Sequence, residues 1–182
     1  MRLFTAQNVA LLLALLGFDS NRSDGITGTY DVAGTVHVSV SPFPAQDSPG
    51  ALTATLSRAA APGAFSLRLE ARGHTCTLPV RAGSDGVLQF PNRATCAIDV
   101  SEPDARGHLD AQLHTARAHV ENERLELALE FAVTGRMQLR IPEKTLRVFG
   151  SEIHTPATWA PAAPVHGTVA ASGQGSRRPS GR

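Results

Sequence analysis

Residues 125–141 read LELALEFAVTGRMQLRI, and in this stretch every odd-numbered position is apolar or glycine. The even-numbered positions carry Glu126, Glu130, Arg136 and Arg140 together with alanine, threonine and glutamine. Successive side chains of a β-strand point to opposite faces, so a period of two separates a buried face from a wet one. A helix would distribute these charges around its circumference. The stretch therefore predicts a long β-strand with one buried face.

The same alternation recurs along the rest of the chain, interrupted by short turns. Apolar and polar positions alternate from Ile26 to Val40, and again clearly from Phe65 to Ala71. No helical period is long enough to serve as a crossover between parallel strands. We therefore predict an all-β fold, an antiparallel meander of about eight or nine strands. A closed barrel is favoured over a two-layer sandwich because closure removes sheet edges.

Two local features interrupt the regular pattern. Gly28 and Gly34 fall on the apolar face of the first strand, where a missing side chain permits a bend or the close approach of another strand. After Leu113 the apolar residues move from odd to even positions, beginning with Ala116. One inserted residue near Thr115 would produce this change of phase, which predicts a β-bulge.

The two ends of the chain differ in composition from its middle. An uncharged run from Val9 to Phe18 follows Arg2, and its length suits the apolar region of a secretory signal rather than a membrane span. We predict a signal peptide and linker over residues 1–25, the barrel domain over 26–154, and a disordered Pro/Ala/Gly/Ser-rich tail over 155–182. An apolar helix or strand of the mature fold is the alternative for the first segment. Export would place the protein outside the cell, in the periplasm or in the cell envelope.

The predicted export also bears on whether the two cysteines form a disulfide. Cys76 and Cys96 fall on the apolar side of their strands, and an oxidising compartment favours a disulfide between them. A full-length strand between them would hold them about 9–10 Å apart, beyond the ~7 Å reach of a disulfide. Pro91 ends the middle strand early, so we predict that the cysteines meet across its tip. The sequence has no Cys-x-x-Cys motif, which favours a structural disulfide over a redox pair.

The sequence lacks the catalytic and metal-binding motifs that would indicate an enzyme. The sequence has no Gly-x-Ser-x-Gly elbow, no His-Glu-x-x-His and no phosphate-binding glycine loop. His108 and His114 would lie about 20 Å apart on one strand, too far to share an ion. Only His108 with Asp110, completed from another strand, remains a metal candidate. We predict no catalytic residue, no metal and no cofactor; a hydrolase with a triad assembled at the barrel mouth is the alternative.

The net charge and the aromatic content of the chain argue against two classes of partner, nucleic acid and the lipid bilayer. A net charge of +1 gives no footprint for nucleic acid. An outer-membrane barrel has aromatic girdles at both interfaces, whereas this chain has one Trp and one Tyr. We therefore predict neither a nucleic-acid partner nor a transmembrane span, and the sequence leaves the oligomeric state open.

The barrel interior is the remaining candidate site. A barrel of about eight strands holds either packed side chains or one small apolar ligand. The candidate lining residues are the apolar side chains predicted to point inward: Tyr30, Val36, Val38, Phe65, Leu67, Leu69, Phe90, Leu127, Phe131, Met137 and Leu139.

Two resemblances accompany this interpretation. Gly28-Thr29-Tyr30 at the start of a long strand, followed by a meander, resembles the opening of calycin-type barrels, which commonly have Gly-x-Trp there. The two-cysteine meander behind a signal peptide also resembles uncharacterised secreted bacterial lipoproteins over residues 26–151, with Phe18 in place of the lipid-bearing cysteine. The predicted function is an exported, non-catalytic barrel that binds a small apolar ligand or acts in the cell envelope. A structural or adhesive surface protein is the alternative.

Overall fold

A computed structural model of the chain describes residues 25–83, 85–149 and 151–179. The predicted signal peptide, apart from Gly25, lies outside the described residues. Within these ranges the protein is all-β, as predicted, and no helix is present. The strands are β1 Gly28–Ser41, β2 Gln46–Arg58, β3 Ala64–Ala71, β4 His74–Ala82, β5 Val87–Gln89, β6 Thr95–Glu102, β7 Ala105–Glu121, β8 Arg124–Ile141, β9 Lys144–Val148, β10 Ser151–Thr155, β11 Thr158–Trp159 and β12 Ala163–Arg177.

Eight strands form a closed ring of hydrogen bonds, in the order β1, β2, β3, β4, β5, β7, β8, β12 and back to β1. Every neighbouring pair in the ring is antiparallel. The ring therefore follows the order of the chain, and the predicted antiparallel meander and its closure are confirmed. The barrel is uneven, because β3 and β4 have 8 and 9 residues whereas β7 and β8 have 17 and 18.

One position in the ring is shared by two short strands, β5 and β6. Both pair with β7, β5 near its end at His119 and β6 along its first half. Pro91 lies in the interruption, where its missing N–H and fixed φ do not suit a continuous central strand. β4 bonds to β5 at only two residue pairs, so this part of the wall, which we call the seam, has few hydrogen bonds.

The disulfide joins the two sides of the seam. Cys76 of β4 and Cys96 of β6 are bonded, with their Cα atoms 5.4 Å apart. Because β5 ends at Gln89, no strand separates the cysteines. The prediction that they meet across the tip of a shortened strand is confirmed.

The C-terminal segment is a strand, and the prediction of a disordered tail is wrong for the residues described. β12 pairs with β1 from Tyr30 to Ser41 on one side and with β8 from Arg124 to Met137 on the other. It is the strand that closes the ring, so the barrel domain extends to Arg177 rather than ending at 154.

The composition of β12 explains why its sequence predicts a disordered tail although the segment forms a strand. Its residues alternate in the same way as those of β8, but the inward-facing positions opposite Leu125 to Gly135 hold only glycine, alanine and valine. They are Val165, Gly167, Val169, Ala171, Gly173 and Gly175. Large side chains on β8 fill the adjacent interior, so small residues suffice on β12. A period of two built from alanine and glycine is easily taken for a Pro/Ala/Gly linker.

The packed core lies at the end of the barrel where β1 and β8 begin, which we call the closed end. Tyr30, Leu67, Leu78 and Leu125 have no exposed side-chain surface there, and Leu56 is 1% exposed. The Tyr30 hydroxyl donates a hydrogen bond to the Ile26 carbonyl at 2.6 Å, which satisfies both groups inside the core. Burial raises the pKa of Tyr30 above its usual value, so the hydroxyl stays protonated as a donor.

The local irregularities predicted from the sequence are present. The pairing of β7 with β8 shifts by one residue between Leu113 and Thr115, which confirms the β-bulge. Gly34 faces Gly173 of β12, and a Cβ atom at Gly34 would overlap the backbone oxygen of Ser172. The close approach of another strand at this glycine is therefore confirmed.

Replacing Tyr30 by phenylalanine tests the hydrogen bond in the core. The variant keeps the ring but leaves the buried Ile26 carbonyl without its donor, and we expect the free energy of unfolding to fall by about 1–3 kcal/mol. Urea titration followed by circular dichroism measures it. Thr115→Val, which removes an exposed hydroxyl that donates to Glu130, is the control and should change stability by about 0.5 kcal/mol or less. Equal midpoints for the two variants would contradict the proposed role of Tyr30.

Candidate functional site

The barrel interior contains a cavity beyond the packed core, away from the closed end. Its volume is about 290 Å³, it is partly open to solvent, and residues of β1, β2, β3, β4, β6, β8 and β12 line it together with the β3–β4 turn. Gly34 of β1 and Gly50 of β2 are paired and lie along this cavity, so the wall there contributes no side-chain volume. The large apolar side chains around it are Val32, Val36, Val38, Leu52, Ile98 and Leu127.

The candidate lining residues divide between the cavity and the core. Val36, Val38 and Leu127 line the cavity, and Leu127 is itself only 4% exposed. Four of the others form the core, namely Tyr30, Phe65, Leu67 and Leu69, and Phe90 and Phe131 pack against it.

The last two candidates lie toward the other end of β8 and do not line the cavity. Met137 is half-buried, and Leu139 is 40% exposed, so the prediction that Leu139 lines the interior is wrong. β8 continues beyond the short strands β3 and β4, and its last inward-facing residues therefore lack an opposing wall.

The mouth of the cavity is formed by the turn between β3 and β4. The central residues of this turn are Arg72 and Gly73, with φ angles of 48° and 82°. Arg72 and His74 both line the cavity, and the neutral polar residues there are Thr35, Ser48 and Ser172. Sequence reasoning missed Arg72 and His74 because their position depends on how far β3 and β4 reach along the barrel.

The histidine proposed as a metal ligand lies on the outer surface. His108 Nδ1 is 2.7 Å from Asp99 Oδ1 of β6, and His108 Nε2 is 3.6 Å from Asp110 Oδ1. The hydrogen bond that His108 donates to the Asp99 carboxylate, aided by the charges of Asp99 and Asp110, raises the pKa of the His108 imidazole above its usual value. Among the residues that the structure describes, no group of three or more His, Cys, Asp or Glu side chains is arranged to hold a metal ion.

A second histidine cluster lies on the hairpin of β9 and β10. Thr145 Oγ1 is 3.0 Å from His154 Nδ1, and His154 Nε2 is 3.8 Å from Glu152 Oε2. Glu152 is also bound by the guanidinium of Arg147, and the His154 side chain is 72% exposed. A hydroxyl, an imidazole and a carboxylate thus lie in sequence, but on an open surface where nothing excludes water from them.

The described part of the chain contains no helix that is able to cross a membrane. The candidate site of the protein is the apolar cavity, with two basic residues at its mouth. Comparison with protein-family models, with curated proteins and with solved structures finds no match to this chain.

Proposed function

We propose that this chain is an exported, non-catalytic barrel that binds a small apolar ligand in its interior cavity. The observation that carries the proposal is a partly open, mostly apolar cavity of about 290 Å³ beside the packed core of the barrel. Protein interiors are close-packed and contain few voids larger than a water molecule. An engineered apolar cavity of about 150 Å³ stays dry and binds benzene, and small-molecule sites begin at about 300 Å³. The cavity is therefore large enough for a small ligand.

Two further observations support export and the barrel class. The Cys76–Cys96 disulfide agrees with an oxidising compartment, and the uncharged run from Val9 to Phe18 has the length of a secretory signal. The opening Gly28-Thr29-Tyr30, which resembles that of calycin-type barrels, agrees with a ligand site inside the ring.

Filling the cavity tests the proposal. Ala171 lines the cavity, and Ala171→Leu adds an apolar side chain into the space a ligand would use. We expect the unchanged chain to bind the neutral fluorescent probe N-phenyl-1-naphthylamine, and the variant to bind it about tenfold more weakly because van der Waals contacts and space are lost. Fluorescence titration of the purified protein measures both affinities.

The matched control makes the same alanine-to-leucine substitution on the outer face of the barrel. Ala128 is an exposed residue on the outer face of β8, so Ala128→Leu should leave probe binding unchanged. Urea midpoints of both variants establish that the barrel is folded. An unchanged chain that binds no probe, or two variants with equal affinity, would refute an interior site.

A further inference from the structure

The ionisable residues along the cavity are both of the basic type. Arg72 and His74 are basic, and no carboxylate belongs to the lining. His74 Nε2 lies 3.9 Å from Glu102 Oε1, so the histidine already has a partner at the mouth. Within the described residues, no ion pair or hydrogen bond engages the Arg72 side chain. The free cation at the entrance of this apolar cavity is therefore Arg72.

The backbone position of Arg72 does not favour arginine. Arg72 and Gly73 both have positive φ, which is the pattern of a type I′ hairpin turn. Glycine, asparagine and aspartate suit such positions, and the equivalent place in the β7–β8 turn holds Asn122, with a φ of 48°. A guanidinium does not stabilise this turn. The turn therefore does not explain the arginine at position 72, and its positive charge is the remaining reason for it.

We infer that the ligand is an anionic amphiphile, an alkyl chain with a carboxylate head, whose chain occupies the cavity and whose head binds Arg72. This inference rests on the proposed function, because it requires the cavity to bind a ligand at all. An apolar lining selects a hydrocarbon chain, and a guanidinium binds a carboxylate through two parallel hydrogen bonds. Arg72 is exposed, so the head group stays in contact with water while the chain is buried.

Ligands that differ only in their head group test the inference on the full chain. Decanoate, decanol and decylamine are each titrated against bound N-phenyl-1-naphthylamine, and displacement gives their affinities. We expect decanoate to bind about three- to tenfold more tightly than decanol, since the ion pair is partly exposed, and decylamine to bind most weakly.

Arg72→Asn removes the charge and places a residue that the turn accepts, so folding is preserved. We expect the affinity of this variant for decanoate to fall to that for decanol, with decanol binding unchanged. Arg93→Asn is the matched control, because Arg93 also has positive φ and does not line the cavity. Equal binding of the three ligands, or equal effects of the two substitutions, would overturn the anionic head group and leave the proposed function standing. No displacement by any ligand, together with no binding of the probe itself, would overturn both.

Discussion

A chain that ends after Pro161 is expected not to fold. This truncation removes β12 and so leaves one edge of β1 unpaired from Tyr30 to Ser41, and one edge of β8 unpaired from Arg124 to Met137. A buried backbone group that loses its partner costs about 1–3 kcal/mol, and a whole domain is stable by only about 5–15 kcal/mol. Two ladders lost together exceed that margin, so we expect no cooperative unfolding transition.

Circular dichroism during urea titration measures this result. The matched control ends after Pro179, which retains β12 and also Arg178, whose guanidinium binds the Asp31 carboxylate of β1 with Nε at 2.8 Å. This control should unfold at the same urea concentration as the full chain. A truncated chain with an unchanged midpoint would show that the C-terminal segment is a dispensable tail and that the ring does not close through it.

Removal of the disulfide is expected to lower the free energy of unfolding by about 3 kcal/mol. Cys76 and Cys96 are 20 residues apart, and the chain-entropy model assigns this value to a loop of that size. The effect should be concentrated at the seam, where β4 bonds to β5 at only two residue pairs. With the covalent link gone, little but packing holds β4 against β6.

The double variant Cys76→Ala and Cys96→Ala measures this contribution, since alanine leaves no polar group near the core. Hydrogen exchange followed by mass spectrometry should show the greatest loss of protection in β4, β5 and β6. Treatment of the unchanged chain with a reductant should reproduce the loss of stability and should leave the double variant unaffected. Uniform loss of protection around the ring would argue against a weak seam.

Much of this fold can be predicted from the local periodicity of the sequence. The rest depends on pairing between strands that are far apart in the sequence. Leu125, Leu127, Leu129 and Val133 alternate with charged or small residues, and all four are buried in the barrel as predicted. The phase change near Thr115 likewise identified the bulge. These features are visible in the sequence because strand geometry alone determines which way each side chain points.

β12 and the cavity mouth show where local pattern is insufficient. The small inward residues of β12 are explained only by the large ones of β8, which are distant in the sequence. The same holds for the candidate site: Val36 and Val38 were identified as inward-facing, but Arg72 and His74 border the cavity because β3 and β4 are short relative to their neighbours. Relative strand length is a property of the assembled barrel, not of any one strand.

The closing strand is also synthesised after both of its partner strands. Chains emerge at about 5–20 residues per second and their N-terminal parts fold first, provided that their partners have already been made. Ser41 cannot pair with His166 until β12 has emerged, so the nascent chain presents an open sheet with two unpaired edges up to that point. In that interval the chain is most exposed to pairing with the strand edges of neighbouring chains, because its own ring cannot yet close.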